Sequence, residues 1–252
     1  MSQYSDGFKA EFLPLEGCFN FRDLGGYPTA SGRRVKTGML FRSDALQLLT
    51  ARDAIYVRES LGLATVIDFR NTQEVERDGR SNVAVPWVDY HNEPVLEERA
   101  AIAATGEEDP AERLTDMYLW ALRNGGTYYG AAFNVVAAKE NLPAVFHCSA
   151  GKDRAGIFAS LILGILGVEA QTIIDDYMLT NEKVALIIQR LSERPGNEHM
   201  QTIPVDFFRA QAPAMEAFLG ELRIAHGDAA GYLQTHGVEE ATIAVFRQNL
   251  LE

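Results

Sequence analysis

Cys148 and Arg154 bound a short segment that contains Gly151 and whose residue types suit phosphate chemistry. The apolar run 143–146 before it predicts a short strand that delivers the cysteine. A long apolar stretch from Arg154 predicts a helix, whose N-terminal N–H groups and dipole favour a bound anion. The same positive environment favours the thiolate form of Cys148. A thiolate that faces a bound phosphate is the arrangement needed to form a phosphocysteine.

The residues around the cysteine have candidate roles of their own. Successive N–H groups around Gly151 can form an anion-binding nest, and Arg154 can bind two phosphate oxygens through its planar guanidinium. His147 would orient the loop or tune the thiolate, or it is an ordinary packed histidine. We therefore predict that substrate phosphate binds to the loop residues Ser149, Ala150, Gly151 and Lys152, with Lys152 able to reach a second phosphate.

Other interpretations of the segment fit less well. A buried structural cysteine is common, but it would not require the rest of the motif in register. A nucleotide-binding loop fails because Phe146 occupies its first glycine position and Asp153 replaces its Ser/Thr metal ligand. A zinc site lacks a C-x-x-C pair, because Cys18 is the only other cysteine. We therefore predict neither a metal nor a cofactor. Cys18 is either a core residue or a disulfide partner that protects Cys148 from oxidation.

The pattern His-Cys-x5-Arg resembles the signature of cysteine-dependent protein tyrosine and dual-specificity phosphatases. Its form here, HCSAGKDR, is similar to a bacterial and fungal branch that acts on phosphotyrosine and, in some members, on phosphoinositides. Other segments also resemble that branch: NFRDLGGY at 20–27, LFRS at 40–43, VIDFR at 66–70, DYMLTN at 176–181, and the tail 231–251. The resemblance covers nearly the whole chain and implies a single phosphatase domain over residues 1–252.

The resemblance also implies roles for three residues. Cys148 would be the nucleophile, Arg154 would bind the transferred phosphoryl group, and Asp153 would be the general acid. Asp89 is the second candidate for the acid, because the segment 86–89 is similar to the Trp-Pro-Asp loop of conventional tyrosine phosphatases in a different order.

The chain departs from this pattern at Ala155. Many relatives carry Thr or Ser at that position, where a hydroxyl helps to expel the thiolate. Hydrolysis of the intermediate is then expected to be slow, unless another group such as Ser149 substitutes.

Strand and helix patterns alternate along the chain, which predicts an α/β fold. With the resemblance, we expect a central, mostly parallel sheet of four to five strands flanked by helices, with lid segments near 93–125 and 182–213. The predicted strands are 39–42, 64–69, 85–90 and 144–147. The predicted helices are 51–61, 111–123, 127–139, 154–166, 170–181, 183–193, 214–225 and 239–250.

Side chains near the strand ends are further candidates, because ligands of such sheets bind beyond the carboxyl ends of the strands. Asp68 and Arg70 are predicted to contact or order the substrate site, with Asp68 able to pair with Arg154 or Lys152. The alternative is that Asp68 and Arg70 take part only in an ordinary salt bridge at the strand end. Arg22 and Asp23 are expected to brace the turn at 25–26. The candidates for stacking on a phenol ring are Tyr27, Trp87, Phe207 and Phe208.

Composition limits the partners and the compartment. The net charge of −12, from 35 acidic and 23 basic residues, argues against nucleic acid and against strong docking on an anionic membrane. Two cysteines suit a reducing compartment. The N-terminal residues do not resemble a secretory signal, and the apolar run 157–168 is too short to span a bilayer. We expect a cytoplasmic protein without stable membrane insertion.

Two classes of function remain. The first is an enzyme that hydrolyses phosphomonoesters of proteins, or of phosphoinositides through a local basic pocket. The second is a phosphate-binding module with little turnover. The thiol and the acid in one loop favour the enzyme, because a pure binder needs neither.

Overall fold

A computed structural model describes residues 10–80, 88–95, 109–194 and 197–252. Its sheet contains five strands: β1 (Arg22–Asp23), β2 (Leu40–Ser43), β3 (Thr65–Asp68), β4 (Asp89–Asn92) and β5 (Ala144–His147). Their order in space is β1-β2-β5-β3-β4, and only the β1–β2 pair is antiparallel. This confirms the predicted α/β class and its mostly parallel sheet.

Helices cover both faces of the sheet. Within the described residues they are α1 (Ala51–Glu59), α2 (Thr72–Asp78), α3 (Pro110–Asn124), α4 (Gly126–Ala137), α5 (Arg154–Ile165), α6 (Ala170–Met178), α7 (Val184–Ser192), α8 (Ala212–His226), α9 (Ala229–Thr235) and α10 (Glu240–Leu250). Short 3-10 turns at 198–202 and 205–207 lead into α8. None of these helices has both the length and the apolar character needed to cross a bilayer.

Two hydrophobic clusters hold the sheet between them. Alternate side chains of a strand point to opposite faces, so Ile67 and Phe146 join the large cluster with the long helices, whereas Val66 and Val145 join a smaller cluster with α1. In the large cluster, Phe146 packs edge-on against Phe158 of α5, with ring centroids 4.8 Å apart. This contact fixes the helix that follows the cysteine loop against the strand that precedes it.

Four elements differ from the sequence prediction. The fourth strand lies at Asp89–Asn92 rather than at 85–90, and residues 85–87 of that prediction lie outside the described residues. The strand was misplaced because it is a polar edge strand without a buried residue. The helices α2 and α9 and the two-residue strand β1 were not predicted; α2 buries no residue, so it has no apolar periodicity to detect.

Candidate active site

Cys148 lies at the carboxyl end of the central strand. β5 is fully buried between β2 and β3, and its last residue, His147, is level with Ser43 on one side and Asp68 on the other. The next residue, Cys148, is 2% exposed. The structure therefore brings the predicted nucleophile to the edge where three parallel strands end.

The loop after Cys148 turns its carbonyl groups away from the site. Three of them accept hydrogen bonds from neighbouring elements: Ser149 from Ala45 N (3.2 Å), Ala150 from Asn20 Nδ2 (3.0 Å) and Gly151 from Arg42 Nη2 (2.7 Å). In a planar trans peptide the C=O and the following N–H point in opposite directions. The N–H groups of residues 150–152 therefore point to the inside of the loop, where they can bind an anion.

Gly151 is required by two features of this loop. Its φ of +67° is in the region that favours glycine. A Cβ at this position would also lie 2.4 Å from the carbonyl oxygen of Ser43. The loop thus packs directly on the end of β2, and only a residue without a side chain fits there.

The helix after the loop begins without a side-chain cap. α5 starts at Arg154, and Asp153 at the N-cap position makes no capping hydrogen bond. By contrast, α1 and α2 both begin with a complete capping box. The first N–H groups of α5 therefore remain available to a bound anion.

Glu74 orients the guanidinium of Arg154. Its carboxylate accepts from Arg154 Nη1 at 2.5 Å and from Nη2 at 3.0 Å, and the carbonyl of Phe69 accepts from Nη1 at 3.2 Å. A guanidinium has five N–H groups, so these bonds leave one on Nε and one on Nη2, which share an edge. Within the described part of the chain, neither of these two has an acceptor. That edge can bind two phosphate oxygens.

The same carboxylate binds the loop a second time. The hydroxyl of Ser149 donates to Glu74 at 2.5 Å. Burial opposes ionisation of Glu74, but the hydrogen bonds and charge of Arg154 outweigh it and hold the pKa of Glu74 at about 2. Ser149, offered from the sequence as a substitute for the hydroxyl missing at Ala155, is thus directed to Glu74.

Asp153 lies beside the loop with its carboxylate partly exposed. Its Oδ1 accepts from the hydroxyl of Tyr118 at 3.0 Å, and Lys152 Nζ lies 3.5 Å from the same oxygen. The ammonium of Lys152 also donates to the carbonyls of Phe208 (3.0 Å) and Arg209 (3.2 Å). In this structure Lys152 therefore ties the loop to the segment before α8, and its contact with a second phosphate stays a prediction.

Asp68 and Arg70 form a buried pair with each other. Arg70 Nη2 donates to Asp68 Oδ2 at 2.7 Å, and neither side chain is exposed. The expected pairing of Asp68 with Arg154 or Lys152 is wrong, because Glu74 occupies Arg154 and backbone carbonyls occupy Lys152. Because both side chains are buried, this geometry also argues against direct contact of Asp68 or Arg70 with a substrate.

His147 lies against this pair. Its Nδ1 is 3.2 Å from the carbonyl of Cys148, and its Nε2 is 3.6 Å from Asp68 Oδ2. Burial lowers the pKa of His147, so the imidazole is neutral at pH 7. Burial also opposes ionisation of Asp68, but the neighbouring His147 and the hydrogen bonds and charge of Arg70 together hold the pKa of Asp68 at about 2. The contact of Nδ1 with the carbonyl of Cys148 favours a role for His147 in orienting the start of the loop.

A second carboxylate, Asp176 of α6, holds the outside of the loop. It accepts from Arg22 Nε (2.9 Å), from Arg42 Nη1 (2.6 Å) and from the hydroxyl of Tyr27 (2.9 Å). Burial opposes its ionisation, but the two arginines hold the pKa of Asp176 at about 2. Since Arg42 also donates to the carbonyl of Gly151, this cluster fixes the loop from behind.

Several expectations about neighbouring residues need correction. Arg22 does not brace the turn at 25–26 but pairs with Asp176, whereas Asp23 does accept from Gly25 N (2.8 Å) and also from Gly38 N (2.6 Å). Tyr27 is buried in the Asp176 cluster, so it cannot stack on a substrate. Phe207 and Phe208 are half-buried, and Trp87 lies outside the described residues.

Asp89 lies away from the loop, whereas Cys18 donates to the carbonyl of Ala45, whose own N–H binds the loop at Ser149. Asp89 is level with Thr65, at the end of β3 opposite to Asp68. Three residues of strand separate the two ends by about 10 Å, so this placement favours Asp153 over Asp89 as the acid. Cys18 and Cys148 are free thiols in the two different hydrophobic clusters, and burial raises the pKa of Cys18, which keeps it a thiol.

Glu74, Asn20, Arg42 and Asp176 were not assigned roles from the sequence. One signal was available for Glu74: Asn71 and Glu74 form an Asn-x-x-Glu capping box directly after a strand, which is typical of a helix start. The lid predicted near 93–125 contains α3, and its residues 96–108 lie outside the described residues, as do 195–196 of the second lid.

Known proteins resemble this chain over most of its length. The model of the tyrosine phosphatase family matches residues 13–252. A protein of Cupriavidus necator named as a tyrosine-protein phosphatase is 31% identical, over 88% of this chain and 82% of its own. The triple specificity protein phosphatase PtpB of Mycobacterium tuberculosis is 27% identical, over 94% of this chain and 98% of its own.

A solved structure also matches. It is the core catalytic domain of the PP-IP phosphatase Siw14 from S. cerevisiae, at 16% identity and a TM-score of 0.37, over 76% of this chain and 93% of that one. That likeness is too loose to add to the assignment, which rests on the family match over nearly the whole chain. The resemblance inferred from the sequence is thereby confirmed: the chain belongs to the tyrosine phosphatase family and is a phosphatase.

Proposed function

We propose that the protein hydrolyses phosphomonoesters, phosphotyrosine of proteins above all, through a phosphocysteine formed on Cys148. One observation supports this most strongly: a thiol, an anion-binding loop and a carboxyl group meet at the end of β5. The thiol is that of Cys148, the loop turns the N–H groups of residues 150–152 inward, and the carboxyl group is that of Asp153.

In the first step, the Cys148 thiolate attacks phosphorus while the bond between phosphorus and the ester oxygen breaks. The inward N–H groups and the free edge of Arg154 bind the equatorial oxygens as charge shifts in the transition state. Asp153 gives its proton to the departing oxygen, which leaves as a neutral phenol or alcohol. The enzyme then carries a phosphoryl group on sulfur and a carboxylate at position 153.

In the second step, water attacks the same phosphorus while the sulfur–phosphorus bond breaks. Asp153 takes a proton from the water, and the thiolate of Cys148 is regenerated with inorganic phosphate as product. Position 155 is an alanine, and the hydroxyl of Ser149 donates to Glu74. We therefore expect this step to be the slower one, so that the leaving group appears in a burst before steady turnover.

Two features favour phosphotyrosine over a lipid phosphate. The ammonium of Lys152, the cation best placed for a second phosphate, is buried and donates to two carbonyls. The net charge of −12 also opposes approach to an anionic membrane. Because the mycobacterial relative is named as a triple specificity phosphatase, the substrate test includes several classes of phosphomonoester.

The test measures phosphate release from a phosphotyrosine peptide, a phosphoserine peptide and a soluble short-chain phosphoinositide. Cys148→Ser should lower kcat by about 10⁴-fold or more, because the nucleophile is lost. Cys18→Ser is the matched control, since it makes the same change at the other buried thiol, which lies in a different hydrophobic cluster from Cys148. Rapid acid quench followed by mass spectrometry should detect one phosphoryl group on the peptide that contains Cys148.

The outcomes separate the candidate functions. Activity that survives Cys148→Ser would overturn the phosphocysteine mechanism. A kcat/KM higher for the phosphoinositide than for the phosphotyrosine peptide would replace the proposed substrate with the lipid. Tight phosphopeptide binding without turnover would instead identify a phosphate-binding module.

A further inference from the structure

A chain of hydrogen bonds connects Asp153 to the segment before α8. The hydroxyl of Tyr118 lies 3.0 Å from Asp153 Oδ1 and 2.9 Å from the hydroxyl of Tyr177, and the backbone N–H of Gln211 donates to Tyr177 at 3.2 Å. The chain crosses from α6 to α3 and ends at the loop carboxylate. None of its members was singled out from the sequence as a site residue except Asp153.

The two ends of the chain define its direction when Asp153 is ionised. A backbone N–H can only donate and a carboxylate can only accept. The oxygen of Tyr177 therefore accepts from Gln211, the hydroxyl of Tyr177 donates to Tyr118, and the hydroxyl of Tyr118 donates to Asp153. Every dipole along the chain then points its positive end at the carboxylate, and such bonds strengthen one another.

Both tyrosines are suited to remain hydroxyl donors. Tyr118 is fully buried and Tyr177 is 1% exposed. Burial, followed by the nearby charge of Asp153, raises the pKa of each phenol, so both stay protonated throughout the physiological range. Their rings pack edge-on with centroids 5.9 Å apart, which fixes the two hydroxyls relative to each other.

The far end of the chain is also fixed. The side chain of Asn181 accepts from the backbone N–H of Ala210 at 2.7 Å and donates to its carbonyl at 3.0 Å. The neighbouring carbonyls of Phe208 and Arg209 bind Lys152. The three residues before Gln211 are therefore each held by a side chain, and these contacts fix the position of the Gln211 N–H.

We propose that Tyr118, supported by Tyr177, is a positioning residue of the phosphatase reaction that holds Oδ1 of Asp153 as an acceptor, so that Oδ2 carries the transferred proton. This inference rests on the proposed role of Asp153 as the acid. Tyr118 would place Oδ2 towards the leaving oxygen in the first step. It would also stabilise the carboxylate that must take a proton from water in the second.

Other charged and titratable groups also lie near Asp153. Two cations face it, Lys152 at 3.5 Å and Arg154 of α5, and the phenols of Tyr118, Tyr129 and Tyr177 interact with its charge. The thiol of Cys148 interacts with the same arginine. A test must therefore change one hydroxyl and leave these charges in place. Tyr118→Phe does this, because it removes a single donor and keeps the ring.

The experiment compares the pH dependence of kcat/KM with phenyl phosphate, whose leaving group needs a proton, and p-nitrophenyl phosphate, whose leaving group does not. Tyr118→Phe should move the basic limb to higher pH by about 0.5–1 unit, because a donor to the carboxylate is lost. It should lower kcat about 10-fold with phenyl phosphate and about 2-fold with p-nitrophenyl phosphate. Tyr177→Phe should shift the limb in the same direction by less.

Tyr232→Phe is the matched control. Within the described part of the chain, the buried hydroxyl of Tyr232 has no hydrogen-bond partner, so its removal should leave both the pH profile and the leaving-group dependence unchanged. Asp153→Asn provides the reference, since it should abolish the basic limb and slow phenyl phosphate far more than p-nitrophenyl phosphate.

Two different failures can be distinguished. If Asp153→Asn behaves as expected while Tyr118→Phe leaves the basic limb in place or slows both substrates equally, the positioning role is overturned and the acid assignment stands. If Asp153→Asn keeps the wild-type limb and leaving-group dependence, the proposed role of Asp153 fails, and the inference about Tyr118 fails with it.

Discussion

The cysteine loop lies between two arginine–carboxylate clusters that use the same groups in different ways. The inner cluster is Arg154 with Glu74, whose side chains are 14% and 17% exposed. The outer cluster is Asp176 with Arg22 and Arg42, whose side chains are at most 1% exposed. In both, the arginines keep the pKa of the carboxylate at about 2 against the effect of burial.

The difference lies in what each cluster leaves available. The inner cluster leaves one edge of Arg154 without an acceptor in the described residues. The outer cluster also binds neighbouring protein groups: Arg42 donates to the carbonyl of Gly151, and Arg22 donates to the side-chain oxygen of Asn20. One ion pair of this site thus keeps donors of Arg154 free, whereas the other contacts the loop through the carbonyl of Gly151.

The largest expected effect comes from breaking the outer cluster. Asp176→Asn keeps the shape of the side chain but leaves two arginine charges buried without a counter-charge. Removing one partner of a buried ion pair costs about 3–5 kcal/mol. We expect the free energy of unfolding to fall by that amount, measured by urea denaturation at pH 7. Loop geometry, and with it activity, should be lost in parallel.

A neighbouring residue provides the control for this variant. Asp175→Asn makes the same change one position earlier, at a carboxylate that binds only Gln171 at the surface among the contacts described. Its effect on the unfolding free energy should stay within about 0.5 kcal/mol. Equal effects of the two variants would show that burial of the Asp176 cluster does not stabilise the protein.

The contrast between the clusters also marks what the sequence could predict. The motif around Cys148 and Arg154 is local, so strand, loop and helix start were all readable within a dozen residues. The distant partners of that loop could not be predicted in this way. Glu74 lies 80 positions before its partner Arg154, and Asp176 lies 134 positions after its partner Arg42. Nothing in the local pattern of a carboxylate says which distant arginine it meets.

The pairing of Asp68 shows the same limit. From the sequence, its position at a strand end suggested a bond to the cysteine loop, and the structure instead places Arg70 on it, two residues away. Asp68 does not pair with Arg154 because Glu74 already binds that arginine. Glu74 belongs to a helix with no buried residue, so the sequence pattern did not reveal it. A competition among several partners is decided by packing, which a single sequence does not display.

Breaking the inner cluster should affect catalysis more than stability. Glu74→Gln removes one acceptor and places an amide N–H against a guanidinium that can only donate, so Arg154 turns away from its position beside the loop. We expect kcat/KM to fall about 10- to 100-fold, with a loss of unfolding free energy of at most about 2 kcal/mol. Steady-state kinetics and urea denaturation measure the two quantities.

The control for this variant lies on the same helix. Glu76→Gln changes an exposed carboxylate two residues further on and should leave kcat/KM within about 2-fold of the wild type. A stability loss for Glu74→Gln that matches that of Asp176→Asn, with little change in kcat/KM, would contradict the division of roles between the two clusters.

The smallest expected effect is the pH dependence of the stabilisation that Asp176 gives to the outer cluster. The pKa of Asp176 is about 2 in the folded protein and near 3.8 for an ordinary aspartate. Its stabilisation is therefore complete above pH 5 and is lost as the pH falls from about 4 to 2. Asp176→Asn cannot titrate, so the difference in unfolding free energy between wild type and variant should be about 1 kcal/mol smaller at pH 3 than at pH 5. A difference that stays constant between these pH values would mean that the arginines do not hold the carboxylate ionised.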